Sequence, residues 1–141
     1  MLARPLTQRL RMLAIATLLP LAVGCSDKDS TGPDTNALVG TWNVTSFEAF
    51  GIDVIQFGMT MKFTFTAAET YSLVITGDAI GGCETSSDCT ENGTYSATTT
   101  RITMDAGTPD EVTFNYSIQG TRLTFTGDIE GTPVTIVLQR S

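Results

Sequence analysis

From Leu38 to the C-terminus, apolar and polar residues alternate with a period of two, the spacing of a strand that is dry on one face and wet on the other. Met61, Phe63 and Phe65 fall on one side of such a segment and Lys62, Thr64 and Thr66 on the other. A second segment sets Val112, Phe114, Tyr116 and Ile118 against Thr113, Asn115 and Ser117. The same pattern, rich in threonine, aromatic and β-branched residues suited to a pleated surface, recurs over residues 41–48, 70–76, 93–97, 100–104, 121–126 and 133–139. No helical period competes with it. Gln119-Gly120, Gly127-Asp128 and Gly77-Asp78 supply hairpin turn signals between these segments. Eight consecutive antiparallel strands with short links predict an all-β, up-and-down barrel, because closing the sheet removes its exposed edges.

The first 37 residues follow other rules. Residues 1–11 hold Arg4, Arg9 and Arg11 and no acid, and residues 12–23 form a mostly apolar run. That run is shorter than the roughly 20 residues needed to cross a bilayer, and Pro20 would break the end of a helix, so a secretory signal over residues 1–24 is predicted. Leu21-Ala22-Val23-Gly24-Cys25 resembles the lipobox of bacterial lipoproteins, with Ala22 where that family more often has leucine. The resemblance implies that Cys25 carries acyl chains that anchor the protein to a membrane; Ser26 in place of aspartate implies the outer membrane of the cell envelope. An ordinary secretory signal with Cys25 as a stray thiol is the alternative. Residues 26–37 (SDKDSTGPDTNA) are polar and contain Gly32-Pro33, so residues 25–37 are expected to be a lipidated cysteine followed by a flexible tether of roughly 20 Å. The barrel domain is then 38–141.

Charge narrows the partners. All 15 acidic residues lie after Cys25 but only five of the eight basic ones do, leaving that part of the chain at a net charge of −10. Nucleic acid and anionic head groups are repelled by such a balance. Without histidine the chain lacks the commonest general base and zinc ligand, so an enzyme is not expected and no cofactor is implied.

Leu38-Val39-Gly40-Thr41-Trp42, placed at the start of the first strand, resembles the Gly-X-Trp opening of the lipocalin superfamily, and residues 38–141 resemble the short lipocalin-like domains of bacterial lipoproteins. In lipocalins the tryptophan plugs one end of the barrel beneath an arginine of the final strand, and Arg140 matches that position. Closure points the same way, since the first and last strands of an eight-stranded barrel are antiparallel neighbours. A core tryptophan and a solvated terminal arginine that never meet are the alternative.

Cys83 and Cys89 bracket a short connection, and an exported chain meets an oxidising compartment, so a disulfide is expected. A redox pair or half of a metal site is the other reading, but two thiols with no histidine lack the usual ligand set. Residues 50–58 (FGIDVIQFG) are unusually apolar for an exposed connection; they serve as a lid over the barrel mouth, complete the core, or meet a partner. Glu84, Asp88, Glu91, Asp105, Asp110 and Glu111 show no calcium-loop spacing and read as solvated loop charge. Trp42, Phe63, Phe65, Tyr71, Tyr116 and Phe125 are the candidate pocket residues. The leading function is therefore an envelope lipoprotein whose barrel takes a small hydrophobic ligand. The alternative is a filled barrel acting as a structural or protein-interaction module, for example on another envelope protein.

Overall fold

Alternating side chains become strands here because each can bury its apolar face only against the inside of the same curved sheet. In the computed structural model, which describes residues 37–78, 81–84 and 86–141, the strands are β1 (Gly40–Ala49), β2 (Ile52–Asp53), β3 (Thr60–Phe65), β4 (Thr70–Thr76), β5 (Cys89–Ala97), β6 (Arg101–Met104), β7 (Val112–Gln119), β8 (Arg122–Ile129) and β9 (Thr132–Arg140). The expected export signal, the lipid on Cys25 and most of the tether lie outside the described residues. Each strand from β3 to β8 pairs antiparallel with the next, and β1 pairs with both β3 and β9, so eight strands close into a barrel while the two-residue β2 only extends the end of β1.

Two ends of the barrel follow from the register. At one end Trp42 lies opposite Phe63 on β3 and Arg140 on β9; at the other, Ala49 lies opposite Val134. Partway along β1 the register with β9 shifts between Val44 and Ser46. This bulge carries the inward face from Trp42 and Val44 to Phe47, which is buried opposite Ile136.

The wall is open along part of the seam between β5 and β6. β5 is paired with β4 from Cys89 to Thr94, but its ladder with β6 covers only Tyr95 to Ala97, extended by one bond from the Asp105 amide to the Thr94 carbonyl. Residues 89–93 therefore have a ladder partner on one side only.

One expected turn is corrected, and one open alternative is decided in part. Gly127-Asp128 is not a hairpin turn: β8 runs through it, and the chain reverses at Glu130-Gly131, both with positive φ (51° and 83°). Gly127 faces Phe114, and a Cβ there would meet the Phe114 ring at 2.7 Å, so this glycine provides space within a strand. Residues 50–58 form a tight turn at Phe50-Gly51, the short β2 and a 3₁₀ helix (Val54–Phe57) capped by the Asp53 carboxylate, which accepts the amides of Phe47 and Ile55. Val54 is buried in the core, so the segment acts in part to complete it.

Candidate functional site

The barrel interior is packed unequally. At the Trp42 end the indole is fully buried, its Nε1 donates to the Leu38 carbonyl at 2.8 Å, and the Arg140 guanidinium sits 4.2 Å from the ring centroid. Arg140 also donates to the carbonyls of Val39 (3.0 Å) and Ala37 (2.5 Å). Gly40 is needed for this arrangement: its φ is +137°, and a Cβ there would approach an Arg140 nitrogen to 2.8 Å. The Gly-X-Trp spacing thus has a mechanical meaning, a gap for the guanidinium two residues before the ring it covers.

Above this plug lies an aromatic layer. Phe65 packs edge-on to Tyr95 (5.1 Å between centroids) and Phe125 (6.3 Å), and Phe125 contacts both Phe63 (6.2 Å) and Phe114 (5.6 Å). On the far side of Phe63 and Phe114 the packing fails to close, leaving a cavity of about 180 Å³. Its buried wall includes Phe47, Met61, Leu73, Met104 and Ile136, with Phe63 and Phe114 facing it from the aromatic layer. Tyr71, Glu91, Asp105 and Asp110 supply the polar lining. Glu91 and Asp110 are exposed, which puts the mouth beside the gap between β5 and the β6–β7 connection.

The rim is organised around Asp105. Its carboxylate accepts the Tyr71 hydroxyl at 2.5 Å and the Thr94 amide at 3.1 Å, tying β4 and β5 to the end of β6. Gly93 makes room for this: a Cβ there would lie 2.1 Å from an Asp105 oxygen and 2.7 Å from the Tyr71 ring. Burial, then the hydrogen bond and charge of Asp105, push the Tyr71 hydroxyl well above the usual tyrosine range. Partial burial, then the charges of Asp105 and Asp110, raise the Glu91 carboxyl above its ordinary value.

A family model for the lipocalin-like domain matches residues 38–133. The chain belongs to the lipocalin-like domain family. Among solved structures the barrel is similar to fatty-acid-binding protein 1 of Echinococcus granulosus, with 13% identity, 74% of this chain and 98% of that one covered, and a TM-score of 0.43. The fluorescent protein UnaG (10% identity, 76% and 99% covered, TM-score 0.43) and As-p18, an extracellular fatty acid binding protein (14%, 77% and 98%, TM-score 0.41), are also similar to it. No curated protein matches the chain.

Within this lipocalin-like domain the candidate pocket residues divide. Phe63 and Tyr71 line the cavity. Trp42, Phe65 and Phe125 do not: they face inward but are fully buried in the plug and the aromatic layer. Tyr116 is only half-buried, and its hydroxyl donates to the Thr98 carbonyl at 2.6 Å in the β5–β6 turn, away from the cavity. No residue of 50–58 lines the cavity. Cys83 and Cys89 are disulfide-bonded with Cα atoms 5.7 Å apart, which joins the connection after β4 to the first residue of β5.

Of the acids read as loop charge, Glu84 is exposed, the Asp88 carboxylate accepts the Gly77 amide and that of Glu111 accepts the Gly107 amide. Glu91 and Asp105 were not legible as site residues, although their strand context held a signal. On β5 the positions of Cys89, Glu91, Gly93 and Tyr95 face inward, opposite Ile75, Leu73, Tyr71 and Met104, so a glutamate stands where the pattern calls for an apolar side chain. Among the described residues no group of three or more histidine, cysteine or acidic side chains is placed to hold a metal ion.

Proposed function

We propose that the chain is an exported lipoprotein, held at the bacterial outer membrane through acylated Cys25, whose lipocalin-like barrel binds a small, mainly apolar molecule in the interior cavity. The cavity carries this reading: an apolar chamber of about 180 Å³ reached through a gap in the sheet. Its size limits the ligand. Pockets for drug-sized molecules run from about 300 to 1,000 Å³, whereas an apolar cavity of about 150 Å³ holds benzene. A single-ring compound or short chain fits without moving the core, and a long acyl chain does not.

The test is calorimetric titration of the purified full chain with 2-phenylethanol, a neutral compound of matching size. Saturable binding that Leu73→Trp abolishes by filling the chamber is expected; absence of binding, or binding unaffected by that substitution, refutes the pocket. Should Leu73→Trp fail to fold, Met104→Phe fills the same space more gently. For the anchor, Cys25→Ser should move the protein from the membrane to the soluble fraction, and its retention with membranes would refute lipidation. Phe50, Ile52 and Phe57, at 83%, 53% and 63% exposure, favour the second reading of a barrel acting on another protein through residues 50–58; on that reading Leu73→Trp leaves function intact.

A further inference from the structure

We infer that the ligand of this cavity is a cation: a small apolar molecule bearing an amine or other positive group at the end that rests in the mouth. The inference depends on the pocket reading above and adds the ligand's charge. An apolar chamber selects by size and shape alone, so the polar groups at its opening decide which molecules are oriented and which are rejected. Here those groups are Glu91, Asp105 and Asp110, with the Tyr71 hydroxyl committed to Asp105. Glu111, Asp128 and Glu130 continue the negative surface, sharing an outer groove with Asp110.

Among the described residues no cation answers them. Residues 37–141 contain four basic side chains, Lys62, Arg101, Arg122 and Arg140, and none lines the cavity. Arg140 is engaged over Trp42 at the opposite end. Lys62 lies on the outer face of β3, exposed between the buried Met61 and Phe63, while Arg101 and Arg122 are exposed at the starts of β6 and β8. A carboxylate ligand entering this mouth would meet only like charge, whereas an ammonium head would meet at least two exposed carboxylates with its apolar body in the chamber.

Glu91 is the sharpest part of the case. It takes an inward position opposite Leu73, beside the other polar lining groups Tyr71, Asp105 and Asp110, and partial burial, then crowding by the charges of Asp105 and Asp110, raises its carboxyl above its ordinary value. Packing alone would favour an apolar residue there, and a bound cation relieves the crowding. Asp105 is held by Thr94 and Tyr71 and carries part of the architecture, so Glu91 and Asp110 are the residues that set the ligand's charge.

Three probes of one shape separate the outcomes: 2-phenylethylammonium, 2-phenylethanol and 3-phenylpropionate, each titrated into the purified full chain. We expect the ammonium to bind about two- to fivefold tighter than the alcohol, as one partly exposed ion pair permits, and the carboxylate to bind weakest. Glu91→Gln should bring the ammonium and the alcohol together, and Glu91→Lys should reverse the order in favour of the carboxylate. Asp110→Asn, also at an exposed rim position, gives a second reading if the reversal variant does not fold. Equal binding of ammonium and alcohol to the unmodified protein overturns the charge preference while leaving the pocket in place; no binding of any probe overturns both.

Discussion

Replacing Arg140 with alanine removes three interactions at once and is the most direct test of how the barrel is closed. The guanidinium lies 4.2 Å from the Trp42 ring centroid, a cation–π contact of about 1 kcal/mol for a half-buried cation over a fully buried ring. Its hydrogen bonds to the Val39 and Ala37 carbonyls contribute about 1 kcal/mol each, the typical net value of an intramolecular hydrogen bond. Freeing a long side chain returns roughly 1 kcal/mol of rotamer entropy, so the net loss should be about 2 kcal/mol. For a domain of this size that corresponds to a fall in Tm of about 8 to 16 °C. Urea unfolding followed by Trp42 fluorescence is the natural assay, because the chain has one tryptophan and it sits at the perturbed position. Arg140→Lys should recover less than half of the loss, since an ammonium cannot lie flat on the indole while reaching two carbonyls. A loss below about 0.5 kcal/mol for Arg140→Ala, or full recovery by lysine, would show that the plug is held by packing alone.

Phe50 occupies the left-handed region (φ 54°) at an exposed turn before Gly51, so Phe50→Asn should stabilise by about 0.5 to 1 kcal/mol in the same unfolding assay by supplying an Asn-Gly turn. Gly127→Ala, which drives a Cβ into the Phe114 ring, should destabilise by about 1 to 3 kcal/mol, and an unchanged midpoint would show that the strand can shift to admit it. Reducing the Cys83–Cys89 disulfide opens a short loop and should cost roughly 2 kcal/mol by the chain-entropy estimate, read as a lower Tm in the presence of a reductant. Amides of Phe47 and Ile55 hold the Asp53 carboxyl below its ordinary value of 3.8, so its stabilising effect is present above that value and is lost as pH falls through the lower, folded-state value. Comparing acid unfolding of the unmodified protein with Asp53→Asn tests this, and identical acid profiles would refute the cap.

The eight strands of the barrel were legible because period two reports directly on which side of a sheet each residue faces. That signal weakens wherever a side chain serves something other than the core. The strand expected over residues 93–97 is β5, which begins at Cys89, a start hidden from the pattern because Glu91 in an inward position breaks the alternation. Gly127-Asp128 carries a turn signature, yet its glycine is required by the neighbouring Phe114 ring, a contact between strands that local preference does not encode. The bulge between Val44 and Ser46 turns Phe47 inward against a strict alternation, and the Phe50-Gly51 turn puts a phenylalanine where asparagine is preferred.

The division of the pocket residues has a different cause. Alternation says that Trp42, Phe63, Phe65, Tyr71 and Phe125 all face inward, but it carries nothing about height along the barrel axis, which depends on the registers of eight strands together. Once those registers are set, Trp42 meets Arg140 at one end, Phe65 and Phe125 form the layer above, and only Phe63 and Tyr71 reach the level where the β5–β6 ladder stops. Closure and binding therefore reside in separate layers of one interior. Arg140→Ala should lower stability while leaving the ammonium preference at the mouth unchanged, whereas Glu91→Gln should remove that preference at little cost in stability. If instead both substitutions changed both properties, the aromatic layer of Phe65 and Phe125 would have to transmit strain from plug to cavity, and the cavity would be a soft part of the core and not a preformed site.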